Sequence, residues 1–143
     1  MEARPVSDFE ALRKAVDDAR TAYNDAWNRA RNIELAAGDW NGQVPADLRE
    51  AWKVQTELRE ALGQAEWKLR DARWTEANAA YQQARAVART DWQAVAKIAD
   101  GISTGIGGLG LRYGELGEAI AKAKESSRVA HDALIQTRRW ELL

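Results

Sequence analysis

The chain has no cysteine, two prolines, one methionine, one phenylalanine and one histidine. Without cysteine there are no disulfides, thiolate metal sites or cysteine nucleophiles, and the redox compartment stays undecided. The single histidine, His131, cannot form the paired imidazoles that hold zinc, and no Glu-x-x-His spacing precedes it. It adjoins Ala130 in a helical pattern and reads as a surface or half-buried structural residue rather than a catalytic one. No apolar run approaches the ~18 residues that would span a bilayer. The start, Met1-Glu2-Ala3-Arg4-Pro5, lacks the basic-then-apolar pattern of a signal peptide, so cytoplasmic synthesis is the expectation and the final location is open. An excess of charge of one sign is missing too. The 21 basic and 22 acidic residues alternate to a formal net charge of −1, which gives no broad basic face for phosphates and disfavours nucleic-acid binding.

What is present is helical periodicity. At 143 residues, 45% hydrophobic and 30% charged, the chain has the balance of one folded domain, read here as a single unit over 1–143. The first helix is expected over 7–37. Ser7 and Glu10 have capping-box spacing, and Pro5 keeps the helix from starting earlier. Phe9, Leu12, Val16, Ala19, Tyr23, Ala26, Ala30, Ile33 and Ala37 then recur at alternating steps of three and four, a coiled-coil seam. Ala15, Ala22 and Ala36 on one flank and Trp27 on the other widen the stripe, suggesting contact with more than one neighbouring helix. Gly38 suits a helix C-terminus and Asp39-Trp40-Asn41-Gly42 a turn.

Pro45 fits the first turn of a second helix, expected over 46–100, about 55 residues and roughly 80 Å. Its first half carries Leu48, Ala51, Leu58, Leu62, Ala65, Leu69 and Ala72, interrupted by Gln55. A second seam runs through Trp67, Trp74, Tyr81, Ala88 and Val95, with Ala77, Ala84 and Ile98 three residues on. The two seams read as out of register by one residue, about 100°, so the halves face different partners. Seven of the ten glycines lie in Gly101–Gly117, where their helix cost predicts a hinge over 101–112. A last helix is expected over 113–142, with Tyr113, Leu116, Ile120, Ala123, Ser127, Ala130, Leu134 and Thr137 on its seam.

The fold class is therefore all-α: long antiparallel coiled-coil helices forming hairpins. The alternative, a compact four-helix bundle, needs a break at 75–78, where no helix breaker stands. A two-helix thickness implies oligomerisation, because a lone hairpin exposes much of each seam.

The string Gly105-Ile-Gly107-Gly108-Leu109-Gly110 matches the dinucleotide fingerprint, but no strand precedes it, so no cofactor is expected and a flexible loop is the simpler reading. The uncharged stretch 101–111, with Gly101, Ile102, Ile106 and Leu111, also has the composition of a shallow membrane tip or a close helix approach. Seven tryptophans mostly fill space against alanine-rich seams; Trp52, Trp92 and Trp140 fit the seams less well and are candidates for partner contact. Carboxylates such as Asp17-Asp18 and Glu57-Glu60 alternate with cations as solvated ion pairs do, and Arg138-Arg139 complement a helix C-terminus. No catalytic, cofactor or metal residue is expected, so the chain is read as a non-enzyme without a small-molecule substrate.

The function expected is structural or adaptor: a self-associating helical subunit, suited to a larger particle such as a phage virion. The self-association seam comprises Phe9, Leu12, Val16, Tyr23, Ile33, Leu58, Leu62, Leu69, Trp74, Tyr81, Val95, Ile98, Ile120 and Leu134. The alternatives are a membrane-active oligomer that inserts its glycine-rich tip, and a helical regulator that blocks a partner protein.

Overall fold

The computed structural model describes residues 6–104 and 109–141, with no account of the side chains of residues 6, 7, 104 and 109–111. The described residues form three helices and no strand: α1 (Val6–Ala37), α2 (Ala46–Thr104) and α3 (Leu109–Glu141). The fold is all-α, as the periodicity predicts.

Helix α1 ends where Gly38 takes the left-handed conformation at φ 62°, which costs a glycine nothing sterically. The chain then reverses through Trp40-Asn41-Gly42-Gln43, where the Gln43 amide donates to the Trp40 carbonyl at 3.0 Å. Asn41 and Gly42 at its centre both have positive φ, 49° and 83°, the pattern of a type I′ turn. Pro45 gives its carbonyl to the Arg49 amide at 3.0 Å, opening α2 from a residue that lacks an amide hydrogen of its own. The Asp47 carboxylate, in the first turn, accepts from the Leu48 amide at 3.0 Å.

Helix α2 has 59 residues and is continuous through 75–78, where the four-helix alternative placed a break. It is helical through Gly101 to Thr104, and α3 begins at Leu109. Residues 101–104 and 109–112, expected in the glycine-rich hinge, are thus helical. Glycine's penalty of about 1 kcal/mol per residue is spread along helices that are held by packing elsewhere. Of the hinge residues, Gly105, Gly107 and Gly108 lie outside the described residues, while Leu109 and Gly110 are helical in backbone.

The described residues divide into two compact units, one up to Ala72 and one from Arg73 onward. In the first, α1 packs on the early part of α2. Arg20 meets Glu66 at 3.4 Å, while farther along α1 residues Trp27, Arg31 and Leu35 share a groove with Trp52. As numbers rise in one helix they fall in the other, so the pair is antiparallel. The second unit repeats this with the late part of α2 and α3: Trp74 bonds Glu141, and Trp92 bonds Ser127.

Burial follows the expected seams with corrections. In α1, Phe9, Val16, Ala26 and Ala30 are buried, and Leu12, Ala19, Tyr23 and Ile33 half-buried. In α2 positions 48, 51, 55, 58, 62, 65, 69 and 72 are sheltered in the first half and 81, 84, 88, 91, 95 and 98 in the second, and between them every residue from 72 to 79 is buried or half-buried. Trp67 shares the spacing of Trp74 but precedes the switch, where another face of α2 is sheltered, and is 57% exposed. In α3, Ala123, Ala130 and Thr137 are buried, whereas Tyr113, expected on the seam, is 59% exposed.

Candidate interaction surface

The cores of both units are small. Of the buried apolar residues, seven are alanines (26, 30, 51, 72, 88, 123 and 130), and Leu48 is the one large side chain shielded completely among the described residues. The seam residues Leu12, Tyr23, Ile33, Leu58, Leu62, Leu69, Trp74, Tyr81, Val95, Ile98, Ile120 and Leu134 are half-buried, and only Phe9 and Val16 of that set are fully enclosed. Alanine lets two helices approach closely, but it hides little apolar area per residue, at roughly 25 cal/mol for each Å².

Large apolar side chains at the surface include Trp27, Leu35, Val54 and Trp67 in the first unit and Val87, Trp92, Val129 and Ile135 in the second. The first unit is a two-helix ribbon with two unlike faces. On one, Trp27, Arg31, Glu34, Leu35, Trp52 and Gln55 line a groove of 460 Å³. The Arg31 guanidinium sits 5.2 Å from the centre of the Trp27 ring, a cation–π placement. Behind the groove Trp40 stands edge-on to Trp52, centroids 5.9 Å apart and planes at 65°, and the Trp40 indole nitrogen is buried without a hydrogen-bond acceptor. On the other face, Asp25, Arg29, Ile33, Ala36, Pro45 and Asp47 border a groove of 770 Å³ that continues toward Glu50 and Val54.

The second unit has a polar layer that the sequence pattern left as a gap. Asp91 stands on the α2 stripe between Ala88 and Val95 and is 8% exposed. It accepts a short hydrogen bond from the Ser126 hydroxyl, and the Lys122 ammonium approaches at 3.7 Å. Beside it the Trp92 indole donates to Ser127 at 2.8 Å, and Ser127 is the serine already expected on the α3 seam. The signal was legible only in pairs: an aspartate at a seam position of α2 and two adjacent serines on α3.

Among the partner-contact candidates, Trp52 is half-buried in the groove, Trp92 is 42% exposed but engaged with Ser127, and Trp140 is half-buried near the end of α3. His131 is exposed. Besides Arg20–Glu66, the outward ion pairs include local ones: Arg128 bonds Glu125 and Asp132, and Lys14 bonds Asp18. The hydrogen bond from Arg128 holds Glu125 below its ordinary pKa, a contribution present above the unfolded value and lost as pH falls through the folded one. At full exposure such pairs are weak.

No group of three or more His, Asp or Glu side chains among the described residues could hold a metal, and no helix among them is long and apolar enough to cross a membrane. Comparison with protein-family models, with curated proteins and with solved structures finds no match.

Proposed function

We propose that the protein is a non-enzymatic helical subunit that acts by associating with copies of itself, as a building block of a larger assembly. The observation that carries this reading is that most leucines and isoleucines of the seams are only half-buried within each unit. Two packed helices shelter one side of each seam residue, and a further helix from another copy would shelter the rest. The grooves are open, and their charged side chains alternate in sign. That arrangement suits docking better than holding reactants away from water.

Association stabilises the folded chain by mass action, so its melting temperature depends on concentration. Thermal unfolding followed by far-UV circular dichroism is expected to shift upward by several degrees over a hundredfold rise in protein concentration. A melting temperature that stays constant across that range would overturn the reading.

A further inference from the structure

The two faces of the first unit differ in charge as well as shape. Flanking the seam on the Trp27 side are the positions one and four residues after Phe9, Val16, Tyr23 and Ala30 in α1, and their equivalents after Leu48, Gln55, Leu62 and Leu69 in α2. From Glu10 to Glu34, and from Arg49 to Arg70, this flank carries Arg13, Arg20, Arg31, Arg49, Arg59 and Arg70 against Glu10, Asp17, Glu34 and Glu66. The opposite flank, from Asp8 to Ala36 and from Asp47 to Asp71, carries Asp8, Asp18, Asp25, Asp47, Glu50, Glu57 and Asp71 against Arg29 and Lys68. Every one of these charged residues is exposed except Arg70, which is half-buried. A formal charge near zero for the whole chain therefore conceals a basic face and an acidic face on one ribbon.

Shape follows the same division. The basic face projects Trp27, 41% exposed, with Trp52 beside it. The acidic face is low: Ala15, Ala36 and Ala61 are exposed, Ala22 is half-buried, and the 770 Å³ groove lies at the level of Trp27 along α1, bordered by Asp25 and Asp47. One face is large and cationic, the other small and anionic.

Resting on the self-association reading, we infer that the occupant of each face is the opposite face of a second copy, so that the contact is heterologous: the Trp27–Arg31 face of one chain seats on the Asp25–Glu50 face of the next. Like faces would oppose like charges, whereas unlike faces match in sign and in size. A heterologous contact leaves one free face at each end and propagates, to a ring where the rotation closes and to a filament where it does not.

The test uses two full-length variants altered only at exposed positions: Trp27→Ala with Arg31→Ala, which weakens the basic face without adding an acid, and Asp25→Lys with Glu50→Lys, which removes the acidic one. Far-UV circular dichroism first verifies that each keeps the helicity of the parent. By size-exclusion chromatography with light scattering, each variant alone is expected to be monomeric where the parent assembles. An equimolar mixture is expected to give a heterodimer that grows no further, because the intact acidic face of the first variant meets the intact basic face of the second. Variants that each assemble as the parent does, or a mixture that stays monomeric, would overturn the heterologous contact while leaving self-association standing. A parent chain that is monomeric throughout would overturn both.

Discussion

Leu48 carries more of the first unit's stability than its surroundings suggest. Most other buried apolar residues of that unit are alanines, which contribute little apolar area, so the loss of the Leu48 side chain removes one of its few large buried groups. Leu48→Ala is expected to cost about 2–5 kcal/mol, read as a lower midpoint in chemical denaturation. Asp91 presents the opposite case. A carboxylate taken from water and returned a serine hydroxyl and a distant ammonium gains little net energy, yet it fits only where Ser126 and Lys122 stand. Asp91→Leu is expected to leave the second unit equally stable or more stable, by up to about 4 kcal/mol. It is also expected to broaden the NMR resonances of α3 as neighbouring registers become comparable in energy. A variant that loses stability and keeps sharp resonances would show that the aspartate supports the fold rather than selecting its register.

The helices themselves contain residues that the fold tolerates rather than requires. Gly63 lies inside α2, and a β-carbon built there meets nothing within 4 Å. Gly63→Ala is expected to stabilise the chain by about 1 kcal/mol, raising the melting temperature by a few degrees. Gly42, at φ 83° in the turn, has as much open space but a backbone that disfavours a side chain, so Gly42→Ala is expected to cost about 1 kcal/mol. Helix existence and the buried faces were legible because steps of three and four leave little choice of which side is sheltered. The turn at 40–43 was legible as well, since Asn-Gly tolerates positive φ. Three features were harder to read. The hinge bounds depended on weighing glycine's local cost against packing that a single sequence does not display. The exposure of Trp67 was not legible because it keeps the interval of Trp74 and Tyr81, and only the packing of α1 on the other stripe leaves that face open at residue 67. Asp91 was passed over because an aspartate in a seam looks like an interruption until its partners on a helix 35 residues away are in place.

At the scale of the whole molecule, the balance between buried and accessible surface governs behaviour. Two units built on alanine seams, with one large side chain fully enclosed among the described residues, are marginal if each chain must stand alone. On the self-association reading, association supplies the missing burial, and opposite charges on the two faces of the first unit steer copies into unlike contacts. Because these charges are exposed, added salt is expected to slow association, with a smaller effect on assemblies already formed. The central claim, that the chain works as an associating subunit, is tested most directly by its mass at sedimentation equilibrium across a concentration series. The account predicts a mass that rises with concentration through multiples of 15.9 kDa. A mass of 15.9 kDa at every concentration would contradict it.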